Sequence, residues 1–337
     1  MDPTGLRMAV FERMEAPVGS GRLRPVLGLR LSMGEDGPMS QVALLANPAA
    51  RSGRAAGDVQ TVVDRLRTRG VEPFVLDATS AREAASAAAD AVASGVDRLV
   101  VFGGDGIVQI AADAAAGSDT VLGLVAGGTG NDAAEALGLR VGSLEDRVDR
   151  ALADPVPVDL IWTGERHAVT SCVAGFPAAV NVRAEAMRFP RGPSRYTLAT
   201  LAELPGMRPG RYRLTLDGEV VELTAAVVVV ANTAFFGGGM RICPDADPTD
   251  GLLDVCVVGE VGRLSLLRSF AKVRTGAHLD HPDVSMFRAA AVGIVALDAR
   301  PGLRADGEPF GSLPCDLVAS PGAIQVAGAL TAPPGRA

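Results

Sequence analysis

Two glycine-rich segments follow two apolar strand patterns in the first half of the chain. Gly103-Gly104-Asp105-Gly106 comes after the apolar run 98–102, and Gly127-Gly128-Thr129-Gly130-Asn131-Asp132 comes after the run 121–126. Glycine permits positive φ and lets backbone N–H groups approach an anion closely. A helical pattern follows each segment, so a positive helix end faces each loop. The two segments therefore predict phosphate-binding loops at the ends of strands, although glycine is also the default residue of ordinary turns.

Strand and helix patterns alternate over residues 40–157, which predicts a Rossmann-like α/β domain with a doubly wound parallel sheet. Over residues 158–330, short strand-like runs such as 211–216, 220–231 and 324–326 predict a mainly antiparallel β domain, of sandwich or barrel type. The first domain is expected to bind a nucleotide and the second a substrate. Residues 1–39 are expected to form a poorly ordered extension, and residues 331–337 a tail.

Composition excludes several classes of function. The net charge of −7 argues against nucleic acid as a partner. Lys272 is the single lysine and follows no GxxxxGK pattern, which excludes a P-loop NTPase. Phosphate charge must therefore be met by backbone amides, arginine or a metal ion. Four widely spaced cysteines and the absence of a long apolar run predict a cytoplasmic protein, which would meet a membrane only peripherally if its substrate is a lipid.

Acidic residues are concentrated in two segments of the second half. Residues 243–255 contain four aspartates, and carboxylates are the ligands that Mg²⁺ prefers. Asp306-Gly307-Glu308 offers carboxylates for a proton transfer. Both segments also fit a plainer interpretation as a solvated loop and a hairpin turn. The same tripeptide occurs at 217–219, where we interpret it as a turn.

Five motifs, taken in order, resemble the diacylglycerol kinase catalytic-domain family, in particular the bacterial lipid kinases related to sphingosine and ceramide kinases. The resemblance covers about residues 40–330, and its motifs are Asn47-Pro48, Gly103–Gly106, Gly128–Asp132, Pro244–Val255 and Asp306–Glu308. It implies an ATP- and Mg²⁺-dependent kinase that phosphorylates a lipid hydroxyl, with diacylglycerol as the first expectation. It also implies transient contact with a membrane surface, and the sequence leaves a homodimer open.

The resemblance implies roles for individual residues. Glu308 is expected to accept the proton of the lipid hydroxyl, with Asp306 in its network, and Asp245 is expected to hold a structural Mg²⁺, with Asp250 organising the turn. Arg188, Arg191 and Arg195 are candidates for contact with lipid headgroups, or for a solvated helix face. The expected nucleotide contacts are Asn47, Pro48, Arg51, Thr79, Gly103, Gly104, Asp105, Gly106, Gly128, Thr129, Asn131 and Asp132.

The first glycine segment departs from the family pattern GGDGTxNE. Ile107 replaces the threonine, Gln109 the asparagine and Ile110 the glutamate. Two lost hydrogen bonds predict ATP affinity lower by about tenfold to thirtyfold. Two alternatives stay open: an NAD kinase, and a catalytically silent nucleotide- or lipid-binding protein. The presence of Asp245, Asp306 and Glu308 argues against the silent protein.

Overall fold

A parallel sheet with helices on both faces is built from the first half of the chain. The computed structural model describes residues 41–47, 54–187, 189, 193–298 and 302–330. Its parallel strands lie in the order β2-β1-β3-β4, which confirms the predicted doubly wound arrangement. These elements are β1 (Val42–Ala46), α1 (Arg54–Thr68), β2 (Phe74–Val75), α2 (Ala81–Ala93), β3 (Arg98–Gly103), α3 (Asp105–Ala115), β4 (Val121–Ala126), α4 (Asp132–Ala136) and α5 (Leu144–Arg150).

Strand β1 shows why its residues are apolar throughout. Successive side chains of a strand point to opposite faces of the sheet. Val42 and Leu44 belong to one core, which also holds residues of α1 and α5. Ala43 and Leu45 belong to another, with residues of α2 and α3. All are buried, because helices cover both faces.

The second half adds strands to this sheet and forms another. The larger sheet continues from β4 through β18, β15, β8 and β9, and the second has the order β14-β13-β10-β7-β16-β17. The elements are β5 (Pro155–Trp162), β6 (His167–Ala168), β7 (Ser171–Gly175), α6 (Phe176–Ala186), α7 (Pro193–Glu203), β8 (Gly210–Leu216), β9 (Glu219–Ala225), β10 (Val227–Ala231), β11 (Phe235–Phe236), β12 (Met240–Arg241), β13 (Leu253–Val258), α8 (Arg263–Val273), β14 (Val284–Ala289), β15 (Ala291–Ala296), β16 (Leu303–Ala305), β17 (Glu308–Gly311) and β18 (Cys315–Ala327).

The two sheets pack face to face, as the predicted sandwich requires. Tyr212 and Leu214 of β8 share a buried core with Val228 of β10 and Leu253 of β13. The opposite face of the six-stranded sheet packs against α6, α7 and α8. None of the helices in the described ranges is both long and apolar enough to cross a membrane.

The predicted single strand over 220–231 is wrong, because the chain changes sheets within it. Strand β9 pairs with β8 in the larger sheet, whereas β10 pairs with β7 and β13 in the other. Ala226 lies between them, and its N–H donates to the carbonyl oxygens of Val258 at 2.8 Å and Gly259 at 3.3 Å. Its own carbonyl accepts the N–H of Phe176 at 2.9 Å. These bonds hold the crossover in place.

Strand β18 joins the two halves of the chain. It pairs with β4 in parallel and with β5 and β15 in antiparallel orientation. The predicted domain boundary at residues 157–158 lies inside β5, so the larger sheet contains strands from both sides of it. The domain limits stay a prediction. The expected extension 1–39 and tail 331–337 lie outside the described residues.

Candidate active site

The two glycine loops contact each other through their main chains. Gly104 lies immediately before α3. A Cβ added to Gly128 would lie 2.4 Å from the Cα of Gly104. The N–H of Gly127 donates to the carbonyl of Gly103 at 2.8 Å. A side chain at either contact position would separate the loops. The sequence therefore needs glycine here for close packing as well as for its conformational freedom.

Asn131 fixes the shape of the second loop. It lies at φ 59° and is 6% exposed. Its Oδ1 accepts the N–H of Gly128 at 2.9 Å, and its Nδ2 donates to the carbonyl of the same glycine at 2.8 Å. Asn131 therefore orders the loop from within, and Thr129 lies exposed on its outer side.

Three carboxylates from separate motifs interact at the junction of these loops. The Asp105 carboxylate accepts the N–H of Ala133 at 3.1 Å. Burial raises the pKa of Asp105 to about 6, and the nearby charges of Asp132 and Asp306 act in the same direction. Burial also raises the pKa of Asp132. The structure thus brings the aspartates of GGDG, GTGND and DGE into one electrostatic group.

Asp132 connects the second loop to the short hairpin of β11 and β12. Its carboxylate accepts the N–H groups of Gly238 at 2.8 Å and Gly239 at 2.7 Å. Both glycines have positive φ, which lets their N–H groups turn toward one side chain. The main role visible for Asp132 is to hold this hairpin against α4.

Asp306 anchors the turn between β16 and β17. Its carboxylate accepts the N–H groups of Val169 and Thr170, both at 2.8 Å, and the hydroxyl of Thr170 at 2.6 Å. The N–H of Ser171 adds a longer bond of 3.4 Å. Burial raises the pKa of Asp306, while these hydrogen bonds act in the opposite direction. Asp306 is therefore a fixed anchor, which fits a place in the network around Glu308.

Glu308 begins β17 and is exposed at the first glycine loop. Its Oε1 lies 3.9 Å from the position of a Cβ added to Gly106. The fold thus brings the DGE motif beside GGDG. The turn at Asp217-Gly218-Glu219 has the same local shape, since Asp217 lies at φ 47° and Asp306 at φ 50°. That turn joins β8 and β9 at the end of the larger sheet.

A pocket of about 330 Å³ lies beside the second loop. Arg140 and Arg147 line it together with Asp58. Arg140 pairs with Glu135 at 3.2 Å, and Arg147 donates from Nε to the carbonyl of Ser143 at 3.2 Å. Arg140 and Arg147 were not among the nucleotide contacts predicted from the sequence. The available signal was arginine soon after a glycine loop in a chain with one lysine. The remaining lining residues are Phe102, Ala126, Gly127, Gly128, Asn131 and Leu144.

The other expected nucleotide contacts lie in different settings. Asn47 follows β1, and its N–H donates to the carbonyl of Phe102 at 3.0 Å, next to Gly103. Thr79 precedes Ser80, the N-cap of α2, and its N–H and hydroxyl both donate to the Glu83 carboxylate at 2.7 Å. Pro48 and Arg51 lie outside the described residues.

Asp245, the expected magnesium ligand, lies at a separate cavity of about 390 Å³ that Asp254 and Arg288 also line, whereas Asp250 is not among its lining residues. The Arg288 guanidinium lies 3.4 Å from Asp254 and also pairs with Asp250. Burial raises the pKa of Asp254 to about 6. Within the described ranges, no group of three or more His, Cys, Asp or Glu side chains is arranged to hold a metal. Two carboxylates can still hold a Mg²⁺ ion that keeps several of its waters.

Strand register gives the separation between this cavity and the DGE turn. Asp254 pairs with Ala231, and Ala231 pairs with Ser171. Asp306 donates its N–H to the carbonyl of Ser171 at 3.1 Å. Three strand spacings therefore separate Asp254 from Asp306, which is about 14 Å. The cavity and the DGE turn lie at the same end of the sheet but cannot share one ion.

Asp159 is a site-supporting residue that the sequence analysis missed. It is 2% exposed, and its carboxylate accepts the N–H groups of Gly251 and Gly322, both at 2.7 Å. Its own N–H donates to the carbonyl of Pro248 at 2.7 Å. Asp159 thus fixes the aspartate-rich segment against β18. An aspartate inside an apolar strand pattern was the available signal, because a buried carboxylate needs hydrogen-bond donors.

Comparison with known proteins accounts for both halves of the chain. Residues 41–162 match the family described as diacylglycerol kinase catalytic domain. A diacylglycerol kinase of Mycobacterium tuberculosis is 38% identical over 304 residues, which cover 86% of this chain and 95% of the relative. The chain belongs to the diacylglycerol kinase catalytic-domain family of lipid kinases. Residues 170–328 of this lipid kinase match the family described as YegS C-terminal NAD kinase beta sandwich-like domain.

More distant relatives and solved structures agree with this assignment. A diacylglycerol kinase of Bacillus subtilis is 23% identical over 83% of this chain and 93% of its own length. The structure of a putative diacylglycerol kinase from Bacillus anthracis str. Sterne has a TM-score of 0.71 at 23% identity, covering 86% of this chain and 97% of that one. At this level of identity the solved structure establishes the fold.

Two of the three departures from the family's GGDGTxNE pattern, Ile107 and Gln109, have structural roles in this lipid kinase. Ile107 is buried in the core of the parallel domain, packed against the backbone of Gly103. Gln109 is 7% exposed, and its Nε2 donates to the carbonyl of His167 at 3.0 Å. Both side chains serve contacts within the protein. The expected loss of ATP affinity stays a prediction.

Proposed function

We propose that the protein is a kinase that transfers the γ-phosphate of ATP to the hydroxyl of a lipid, with diacylglycerol as the first acceptor to test. The observation that supports this most is the position of Glu308, whose carboxylate lies beside Gly106 of the first glycine loop. Phosphoryl transfer depends on positioning, charge neutralisation and a carboxylate near the attacking hydroxyl. The arrangement supplies a carboxylate at the point where a bound phosphate chain and an alcohol would meet.

The residues divide the work in this proposal. Backbone amides of the paired loops and the guanidinium groups of Arg140 and Arg147 bind the nucleotide at the pocket beside Gly127. Glu308 takes the proton of the lipid hydroxyl, and Asp306 holds the turn that presents Glu308. Mg²⁺ at the second cavity would neutralise the carboxylates of Asp245 and Asp254. Asp254 lies about 14 Å from Asp306 of the DGE turn.

We further propose that α6 and α7 face the membrane from which the lipid is taken. These two helices carry apolar side chains that are about half exposed, unlike those of the core. Basic residues accompany them, including Arg183, which pairs with Glu203 across the two helices. Arg188 and Arg191, expected from the sequence to meet lipid headgroups, lie outside the described residues. The exposed apolar residues of the helices are Val182, Tyr196, Leu198 and Leu201, and Phe189, which lies between the two helices, is 83% exposed.

Vesicle binding tests this surface. Replacing both Leu198 and Leu201 by Glu should lower the fraction that sediments with anionic phosphatidylglycerol vesicles at least fivefold. The reason is that two apolar contacts are lost and two negative charges face an anionic surface. Val220→Glu is the matched control, because Val220 is also exposed but lies on β9, the end strand of the larger sheet. Equal sedimentation of the double variant and the parent would refute the proposed surface.

Transfer of radiolabelled phosphate from ATP tests the proposed function. We expect labelled lipid from a panel containing diacylglycerol, and a fall in kcat of about 10² to 10⁴ in Glu308→Gln. Glu219→Gln should leave kcat unchanged, because its Asp-Gly-Glu turn lies at another end of the fold. Transfer to NAD alone would replace the lipid proposal. ATP binding without transfer to any acceptor would indicate a silent nucleotide-binding protein.

A further inference from the structure

Two arginines hold the carbonyl groups on either side of Glu308. The Nη2 atom of Arg304 donates to the carbonyl of Gly307 at 3.1 Å. The Nη2 atom of Arg166 donates to the carbonyl of Pro309 at 3.0 Å. The two residues adjoining Glu308 in sequence are therefore both bonded to guanidinium groups, Gly307 to that of Arg304 in the same hairpin and Pro309 to that of the distant Arg166.

Arg304 connects this turn to α6. It lies on β16, is 4% exposed, and forms an ion pair with Glu185 of α6. Burial lowers its pKa, and the negative charge of Glu308 opposes that change. Among the described residues its buried Nε has no hydrogen-bond partner. Burying a guanidinium with an unmet donor destabilises the fold, so a contribution to packing is a poor explanation for an arginine here.

Arg166 connects the same turn to α3. Its guanidinium lies 4.1 Å from the centre of the Phe310 ring, next to the bonded Pro309. The following residue, His167, donates its N–H to Asp113 of α3 at 2.9 Å. The carbonyl of His167 accepts a hydrogen bond from Nε2 of Gln109, which is also on α3, at 3.0 Å. Since α3 begins at the first glycine loop, Arg166 belongs to a rigid path from that loop to Glu308.

We propose that Arg304 and Arg166 are positioning residues that set the place of the Glu308 carboxylate relative to the first glycine loop. Arg304 links the turn to α6 through Glu185, and Arg166 links it to α3 through the neighbouring His167, each by one carbonyl next to Glu308. This inference rests on the proposed role of Glu308 as the proton acceptor. A misplaced acceptor lowers the rate of transfer without weakening the nucleotide site, because neither arginine lines the pocket beside Gly127.

Steady-state kinetics of Arg304→Met and Arg166→Met test the inference, alone and combined with Glu308→Gln. Each single variant should lower kcat at least tenfold and change KM for ATP less than twofold. In the Glu308→Gln background the same substitutions should lower kcat less than twofold further, since no acceptor is left to position. Arg213→Met is the matched control, because Arg213 pairs with Glu222 on the distant strands β8 and β9.

Several results would overturn the inference. One is unchanged kcat in both arginine variants while Glu308→Gln is impaired, and this leaves the proposed function intact. Another is a fall in kcat that is as large in the Glu308→Gln background as in the parent, which indicates a purely structural role for the arginines. Full activity of Glu308→Gln itself would overturn both the proposed acceptor and the inference. If Arg304→Met does not fold, the same kinetics are measured on Arg304→Lys and on Arg166→Met, because Arg166 is only half-buried.

Discussion

At the scale of single residues, Asp105 is the carboxylate whose ionisation bears most directly on the glycine loops. Its pKa in the folded protein is about 6, above the ordinary value of 3.8, because of burial and the charges of Asp132 and Asp306. The protonated form is thus favoured by folding. Its contribution to stability is fully present below about pH 4 and is lost as the pH rises through about 6.

Asp105→Asn should therefore gain stability relative to the parent as the pH increases from 4.5 to 7.5. The gain over this range should be about 2 kcal/mol, because raising the pKa from 3.8 to about 6 corresponds to about 3 kcal/mol in total, of which about 1 kcal/mol is already present at pH 4.5. Urea unfolding at several pH values measures it. Asp90→Asn, on the exposed surface of α2, is the matched control for the loss of one carboxylate. A constant difference between Asp105→Asn and the parent across this pH range would contradict the prediction.

Residue identity alone predicted only part of this behaviour. The sequence indicated Asp105, Asp132 and Asp306 as site residues from three separate motifs. Their mutual effect on pKa depends on long-range placement, which no local pattern contains. Gln109 illustrates the opposite case. Its replacement of asparagine suggested a lost nucleotide contact, whereas its amide is bonded to the carbonyl of His167.

At the scale of elements, the paired glycine loops depend on backbone contact. Gly128→Ala would place a Cβ 2.4 Å from the Cα of Gly104, so the loops must move apart. We expect ATP affinity to fall at least tenfold, measured by equilibrium binding of a fluorescent ATP analogue. Gly262→Ala is the control, because a Cβ there meets nothing within 4 Å. Unchanged affinity in Gly128→Ala would show that nucleotide binding does not depend on the loop contact.

Element prediction from the sequence succeeded where periodicity was long and failed where one apolar stretch changes conformation. The alanine-rich pattern over residues 81–93 predicts a helix, and α2 has these limits, Ala81–Ala93. Helix α6 was not predicted, because Phe176–Ala186 follows β7 without a polar break. The chain turns from β7 into α6 at Gly175, which has φ 84°. Its significance is visible only when the neighbouring strand is known, since a Cβ there would lie 2.5 Å from the carbonyl oxygen of Ala226.

At the scale of the whole molecule, Asp159 connects three segments that lie far apart in sequence, namely β5, the aspartate-rich segment and β18. Asp159→Ala would leave the buried N–H groups of Gly251 and Gly322 without an acceptor. At about 1–3 kcal/mol for each such group, we expect a loss of about 2–5 kcal/mol in the free energy of unfolding. Chemical denaturation measures it. Asp159→Asn, which keeps one acceptor oxygen, should recover part of the loss, and equal stability of the alanine variant would refute this role.

Whole-chain topology was the least predictable level. The sequence indicated an α/β part and a β part correctly, because local periodicity distinguishes them. It did not indicate that one sheet runs through both, since the pairing of β4 with β18 joins Leu122 to Val326. Contacts at that separation leave no periodic trace in either segment.

The central position of β18 has a consequence for synthesis of the chain. Strand β4 has β3 on one side and β18 on the other, and β18 comprises Cys315–Ala327. On the ribosome, the four parallel strands therefore emerge well before their missing neighbour, with an open edge along β4. Open strand edges attract other unfinished chains. The parallel sheet therefore stays unprotected along β4 until β18 has been synthesised.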